Sequence, residues 1–361
     1  MNQRIWTLYA TLALAASVTA AQAAPGTRTN ELMDHGDASA TIATSVQSSK
    51  AFHRASEDVV IQVRYSNAGD VAVTLPKWLF DSDEMDRSFL KVTRDGAPVN
   101  YTAALVKRSA PTADELVVLS PGESMTANYE LSSAFDLGEG GSYAVSFNAA
   151  ARHALTAPVL ESGGIMIGVE ANPFRDLVSA VDYQKAAGAG GISYTGRCTA
   201  SQKTSLVTAL TNAETYASGA VTYLSATPSA TARFTTWFGA FSTANWNTVK
   251  AHYTNIRSVY NTQPIVFDCG CTKKTTFAYV YPSQPYKIYL CGAFWSAPAT
   301  GTDSKAGTLV HETSHFTVVA GTQDYAYGQA AAKSLALSNP AQAILNADSH
   351  EYFAENTPAQ P

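Results

Sequence analysis

Charged residues are scarce in this 361-residue chain, and positive charge is not in excess. Charged residues make up 15% of the sequence and hydrophobic residues 46%, and the formal net charge is -5. Such a composition is typical of a globular protein and excludes an intrinsically disordered one. The lack of a positive excess argues against a basic nucleic-acid-binding face. The length is sufficient for two ordinary domains.

Beyond its N-terminus, the sequence lacks any apolar run of membrane-spanning length. At the N-terminus, "IWTLYATLALAASV" follows Arg4, and the small residues "AQAA" come next. This order predicts a signal peptide over residues 1–24, cleaved after Ala23 or Ala24. A membrane anchor is the alternative, but the run is too short and too rich in alanine and threonine to span comfortably. We therefore expect a secreted, extracellular protein without a membrane partner.

Cysteine is absent from the N-terminal half. The cysteines of the C-terminal half are Cys198, Cys269, Cys271 and Cys291. In an exported protein, an even and clustered set predicts two disulfides. A structural zinc site is the alternative, but the C-x-C pattern lacks the paired C-x-x-C spacing of such sites.

Short strand-like segments dominate the region from about residue 50 to 150. "DVVIQVRYSN" and "GGSYAVSFNA" alternate apolar and polar residues, while Asp95-Gly96 and Pro121-Gly122 supply turns. This pattern predicts an all-β, sandwich-like domain within residues 25–184. Its histidines are too scattered to suggest a metal site, so a binding or masking module is favoured over a second catalytic domain.

A Gly/Ala-rich stretch, "KAAGAGGIS", predicts a flexible linker over residues 185–193. Beyond it, residues 194–361 show helical periodicity in "SQKTSLVTALTNAETYASGAVTYLS" and "ANWNTVKAHYTNIRSVY". "TTFAYVYPSQPYKIYLCGAF" predicts a β-hairpin, and two helices follow over "GQAAAKSLAL" and "AQAILNADSHEYFAEN". The sequence therefore predicts a two-domain chain with a mainly helical, α+β C-terminal domain and a small sheet.

An HExxH motif lies within "AGTLVHETSHFTVVAGTQDYAYG". On a helix, His311 and His315 share one face and can bind a single ion, and Glu312 lies between them to accept a proton from the attacking water. Catalytic zinc needs a third protein ligand and one open position. Asp324, His350 and Glu351 are all candidates, and spacing alone does not decide among them.

The segments "HETSHF" and "GTQDYAYG" together resemble the aspzincin signature, HExxH plus GTxDxxYG, of the deuterolysin family. "FDCGCTKKTTFAYVYP", "YLCGAFWSAPATGTDSKAGTLVHE" and "NADSHEYFAEN" resemble the peptidyl-Lys metalloendopeptidases within that family. The resemblance covers nearly everything from Tyr194 to Pro361. The β-rich half resembles, more loosely, the propeptides of bacterial members.

The resemblance implies a zincin-type domain that binds one Zn²⁺ through His311, His315 and Asp324. It implies that Glu312 is the general base and later the proton donor, and that Tyr327 stabilises the tetrahedral oxyanion. It also implies the disulfides Cys198–Cys269 and Cys271–Cys291.

The acidic pair Asp348 and Glu351 is three residues apart, so it shares a helix face and could hold one ammonium group. Such a pair ordinarily belongs to a solvent-exposed, acidic end of a helix. The resemblance instead implies that the pair lines the pocket for the residue after the cut in lysine-selective relatives. Protein and peptide substrates with lysine at that position are then expected.

Activation is predicted at the start of the linker, where Lys185 directly follows Gln184. An enzyme that cuts before lysine would release its own catalytic domain at this bond, and until then the tethered propeptide would act as an intramolecular inhibitor. The alternatives are a broad-specificity deuterolysin-type protease and a non-catalytic, zinc-stabilised binding or toxin-like module. A lysine-peptide assay with and without chelator separates the catalytic readings from the last one.

Overall fold

The structure is a computed structural model that describes residues 42–80, 89–109, 111–149, 160–172 and 191–361. The predicted signal peptide and the Gln184–Lys185 bond lie outside these ranges. In the described part of the chain, no helix combines the length and the apolar character that crossing a bilayer requires.

The N-terminal part is rich in strands, as predicted. These strands are β1 Ile42–Ser48, β2 Phe52–His53, β3 Val60–Asn67, β4 Val73–Pro76, β5 Leu90–Arg94, β6 Ala97–Pro98, β7 Leu105–Arg108, β8 Leu116–Leu119, β9 Ser124–Glu130, β10 Gly141–Ala149, β11 Leu160–Glu161 and β12 Ile165–Val169. They form sheets in the orders β1-β3-β9, β2-β12-β10-β5-β6 and β4-β8, with β11 paired to β10. Alternate residues of β3 are buried, as the period of two predicts.

The predicted turn at Asp95-Gly96 joins β5 and β6 as an antiparallel hairpin. Both residues have positive φ, 51° and 82°, which is the backbone of the tight turns that favour Asp-Gly. Aromatic and aliphatic side chains of the sheets fill one core, which includes Tyr65, Tyr129 and Phe147.

The C-terminal part contains a small sheet and a set of helices. Its strands are β13 Ile192–Thr195, β14 Ile265–Asp268, β15 Thr276–Val280 and β16 Lys287–Leu290. Its helices are α1 Ala200–Leu224, α2 Ala232–Phe238, α3 Thr243–Thr262, α4 Gly292–Ser296, α5 Lys305–His315, α6 Gly328–Ser338, α7 Pro340–Ala343 and α8 Ala347–Glu355. The long periodic helices α1 and α3 and the β15–β16 hairpin match the predictions. A second core lies among these elements.

One predicted helix, over "AQAILNADSHEYFAEN", is wrong, because the structure divides it into α7 and α8. The chain between them is held by Gln323, whose N–H donates to Leu345 O at 2.7 Å and whose carbonyl accepts from Ala347 N at 3.0 Å. Asn346 is extended and uses its side chain to bond both backbone groups of Ala326. These bonds replace the helical ones and fix the loop that carries Asp324.

The C-terminal sheet has an unexpected edge strand. Its order is β13-β14-β16-β15-β7, so a strand from the N-terminal part extends it. The strand β13 begins at Ile192, within the last residues of the range predicted as linker. Two disulfides, Cys198–Cys269 and Cys271–Cys291, tie the sheet to neighbouring loops, and the implied pairing is confirmed.

Candidate metal centre and adjoining pocket

The helix α5 carries the HExxH motif, and all of its motif residues are buried. Ser304 caps the helix by accepting a hydrogen bond from the Gly307 N–H at 2.9 Å. A Cβ at Gly307 would collide with the carboxylate of Glu355 on α8. Glycine therefore permits the close approach of α5 to α8 that brings His311 to the acidic residues of α8.

His311, His315 and Asp324 converge on one point. The Oδ1 atom of Asp324 lies 3.1 Å from His311 Nε2 and 3.4 Å from His315 Nε2. Gly321 and Gly328, on either side of the Asp324 loop, both have positive φ, at 60° and 78°. These glycines let the chain turn so that Asp324 reaches the two histidines of α5.

The polar atoms at this point fit a zinc ion. His311 Nε2, His315 Nε2, both Asp324 oxygens and both Glu312 oxygens are buried without a hydrogen-bond partner. Buried polar groups rarely lack partners unless an ion or water completes them. Two imidazole nitrogens and a carboxylate are a ligand set of the kind that catalytic zinc uses.

The remaining ring nitrogens of the two histidines each lie close to an oxygen atom. His315 Nδ1 lies 2.9 Å from the carbonyl oxygen of Thr322, which as an acceptor leaves Nε2 free to bind metal. His311 Nδ1 lies 2.8 Å from Asp348 Oδ1 and 3.4 Å from Glu351 Oε2. Carboxylate or carbonyl contacts of this kind fix ligand histidines in zinc sites.

The other candidate third ligands lie elsewhere. His350 Nε2 faces His252 Nδ1 at 3.0 Å, and His350 Nδ1 faces the carbonyl of Asn346 at 2.9 Å. Burial lowers the pKa of His350 to about 3 and that of His252 to about 4. Glu351 approaches His311 on its Nδ1 side, in a second acidic group with Asp348.

Glu312 and Asp324 differ in their electrostatics. Burial raises the pKa of the Glu312 carboxyl well above its ordinary value. Burial would also raise the pKa of Asp324, but the adjacent His315 and His311 hold it well below its ordinary range. Of these two carboxyl groups, Asp324 is therefore the one that ionises more readily.

An acid pocket, formed by Asp303, Asp348 and Glu351, adjoins the histidine pair. It encloses the ammonium group of Lys107 from strand β7, with Nζ at 2.5 Å from Glu351 Oε2, 3.6 Å from Asp348 Oδ1 and 3.7 Å from Asp303 Oδ1. Burial alone would lower the pKa of Lys107, but Asp348 and Glu351 raise it above its ordinary value. The pocket thus already holds a compact cation.

Aromatic side chains complete the pocket. Lys107 Nζ lies 5.1 Å from the ring centre of Phe277 and 5.9 Å from that of Tyr352. The hydroxyl of Tyr352 donates to Asp303 Oδ1 at 2.6 Å. Phe277 lies on β15, in the predicted hairpin. The sequence analysis did not find Asp303, Tyr352 and Lys107.

Tyr327 contacts the backbone of strand β7. Its hydroxyl donates to the carbonyl oxygen of Val106, the residue before Lys107. The side chain is almost fully buried, with 2% exposure. Tyr325, which the motif does not assign, is half-buried against a small apolar cluster on α6 and α7.

Comparisons with known proteins give a matching family and several relatives. The aspzincin family profile, described as lysine-specific metallo-endopeptidase, matches residues 223–355. An extracellular protease of Aeromonas hydrophila is 41% identical over 312 residues, covering 84% of this chain and 90% of its own. A peptidyl-Lys metalloendopeptidase of Armillaria mellea is 39% identical over 318 residues, covering 84% of this chain and 89% of its own.

Among solved structures, a zinc peptidase from Grifola frondosa is 52% identical, covers 45% of this chain and 100% of its own, and superposes with a TM-score of 0.44. Both sequence relatives are about 40% identical to this chain, over most of its length and of their own. The family profile spans the HExxH motif and the Asp324 loop. The chain therefore belongs to the aspzincin family and is a zinc metalloendopeptidase.

Proposed function

We propose that this protein is a secreted endopeptidase that cleaves peptide bonds on the N-terminal side of lysine and is made as a precursor masked by its propeptide. The observation that carries the proposal is the buried Lys107 ammonium in the acid pocket, beside the candidate metal centre. Two relatives support it, one named an extracellular protease and the other a peptidyl-Lys metalloendopeptidase. Family membership sets aside the non-catalytic alternative.

In this proposal, His311, His315 and Asp324 hold one zinc ion. When bound, zinc supplies Lewis acidity that polarises the substrate carbonyl and makes water a better nucleophile. Glu312 accepts the proton of the attacking water and later delivers it to the leaving amine. Tyr327 donates its hydroxyl to the developing oxyanion, a role for which a neutral phenol is suited.

The acid pocket would select the residue after the cut. A lysine side chain there would meet Asp348 and Glu351 as charge-assisted partners, as Lys107 does. The planar guanidinium of arginine suits this compact site less well. A broad-specificity deuterolysin-type protease is the second candidate, and a comparison of Lys, Arg and Leu substrates separates the two.

Removal of Asp324 tests the metal assignment. We expect Asp324→Ala to weaken zinc retention by well over ~10-fold, because the site loses its only carboxylate ligand in the proposed set. Glu351→Gln is the matched control, since it removes a neighbouring carboxylate outside that set. Zinc content after dialysis against a graded series of chelator concentrations is the measurement. Full zinc retention by Asp324→Ala together with metal loss in Glu351→Gln would reverse the assignment.

Maturation is proposed to occur before Lys185, after Gln184, by the enzyme itself. The wild-type precursor should then yield a chain that begins at Lys185, while the Glu312→Ala precursor stays full length. N-terminal sequencing of both purified products is the measurement. A Glu312→Ala precursor that is processed normally in a protease-free preparation would show that another enzyme makes the cut.

A further inference from the structure

Lys107 differs from the other lysines of the predicted propeptide. The lysines of residues 25–184 are Lys50, Lys77, Lys91 and Lys107. The first three are exposed, whereas the Lys107 side chain is 2% exposed. Burial of a lysine is costly without partners, and here three carboxylates surround its ammonium group. Strand β7 is thus held in the substrate cleft, defined here as the edge of β15 together with the acid pocket, by a specific side chain as well as by its backbone.

The backbone of β7 lies in the cleft as an added sheet strand. It pairs antiparallel with β15, with Leu105 opposite Val280, Val106 opposite Tyr279 and Lys107 opposite Ala278. Addition of an extended segment to a sheet edge is a common mode of peptide recognition, in which the backbone gives affinity and side-chain pockets give specificity. The register places the Lys107 side chain in the acid pocket.

The peptide bond before Lys107 lies between two groups that have roles in the proposed reaction, the acid pocket and Tyr327. On its C-terminal side, the Lys107 ammonium contacts Glu351 at 2.5 Å. On its N-terminal side, the Val106 carbonyl oxygen accepts a hydrogen bond from Tyr327. A substrate that is cut before lysine would present its lysine and its scissile carbonyl to these same two groups.

We propose that the Val106–Lys107 peptide bond is a self-cleavage site of the precursor, cut before any bond at Lys185. The inference rests on the proposed cleavage before lysine. One water molecule is consumed: its oxygen bonds to the Val106 carbonyl carbon and the C–N bond to Lys107 breaks. Both water protons go to the Lys107 amine, so the products are a Val106 carboxylate and a Lys107 ammonium.

The order of the two cuts follows from which lysine occupies the acid pocket. The acid pocket holds one ammonium group, so Lys185 has no access to it while Lys107 is bound. A segment in the same chain is present at a high effective concentration and displaces external substrate. The cut at Val106–Lys107 divides β7 in its middle and leaves each half with part of the pairing to β15, so both halves then leave the cleft more readily.

The direct test is intact mass and N-terminal sequencing after zinc is added to metal-free precursor. We expect the wild type to yield a fragment that begins at Lys107 before one that begins at Lys185, with a first-order rate that does not change with precursor concentration. Glu312→Ala and Lys107→Ala should yield no such fragment, and the exposed-lysine control Lys91→Ala should match the wild type. Release of the Lys185 fragment with the Val106–Lys107 bond intact overturns the proposal, as does a rate proportional to precursor concentration.

A second readout is independent of catalysis and of metal. In the metal-free Glu312→Ala precursor, an amine-reactive reagent should label Lys50, Lys77 and Lys91 at least ~10-fold faster than Lys107, in line with their exposure. Adding Asp348→Asn and Glu351→Gln should abolish most of that protection while the fold, followed by circular dichroism, is kept. Equal labelling of all four lysines would show that β7 does not occupy the pocket and would overturn the proposal.

Failure of this inference is distinguishable from failure of the proposed function. The Lys107→Ala precursor, whose pocket lacks its internal ammonium, is assayed on an external lysine peptide. Cutting before lysine in that peptide, combined with an intact Val106–Lys107 bond in the zinc-loaded wild type, overturns the self-cleavage site alone. Cutting elsewhere in the peptide overturns the proposed specificity itself.

Discussion

Replacing Glu312 with glutamine is expected to abolish peptide hydrolysis while zinc stays bound. The substitution keeps the size of the side chain and leaves the three proposed ligands unchanged, so only proton transfer is lost. General acid–base catalysis contributes about 10²–10⁴-fold to rate, and Glu312 would act in two steps. The kcat/KM of the mature enzyme on a lysine peptide should therefore fall by at least ~10³-fold.

The measurement combines steady-state kinetics with metal analysis of the same preparations. Glu214→Gln, which neutralises a half-buried glutamate on α1, is the control and should keep wild-type kinetics and zinc content. A Glu312→Gln enzyme with zinc bound and with more than a tenth of wild-type activity would assign proton transfer to another group.

The second large effect is expected for specificity. In the mature enzyme, Asp348→Asn combined with Glu351→Gln should depress cleavage before lysine far more than cleavage elsewhere. Loss of a buried charge partner costs about 2–5 kcal/mol, which corresponds to roughly 30-fold to several thousand-fold in kcat/KM. Arginine should be the poorer substrate of the wild type, because the pocket encloses a compact ammonium group.

Single variants separate the pocket from the metal centre. Asp348 Oδ1 lies 2.8 Å from His311 Nδ1, so Asp348→Asn changes a contact to a proposed zinc ligand as well as to lysine. Glu351 Oε2 lies closer to the Lys107 ammonium, at 2.5 Å, than to His311 Nδ1, at 3.4 Å. Glu351→Gln should therefore lose lysine preference with zinc retained. Equal cutting before Lys, Arg and Leu by the wild-type enzyme would favour the broad-specificity reading.

Local patterns predicted the helix of the candidate metal centre, because the spacing of its histidines is a short-range feature of the sequence. Four-residue spacing places His311 and His315 on one face of any helix, and the structure has them there on α5. Asp324 was not decided by spacing, because its position depends on a loop held by Gln323, Leu345 and Ala347. Those bonds join segments that are distant in sequence, and they also divide the helix that periodicity predicted as continuous.

No local pattern in the sequence predicted that strand β7 joins the C-terminal sheet. "ALVKRSA" shows no pattern that distinguishes Lys107 from the exposed lysines of the same region. Its burial depends on pairing with β15, about half the chain away, and on carboxylates from two further segments. The rule that drew attention to Lys185 applies equally to every lysine of residues 25–184, and the preceding residues do not single out Lys107, because Lys91 also follows an apolar pair, Phe89-Leu90.

The most direct test of zinc-dependent cleavage before lysine is mass spectrometry of the peptides that the mature enzyme releases from a denatured protein mixture. The predicted result is that nearly all new N-termini are lysine, and that a zinc chelator abolishes them. New N-termini spread over many residue types, or cleavage that persists in chelator, would contradict the account.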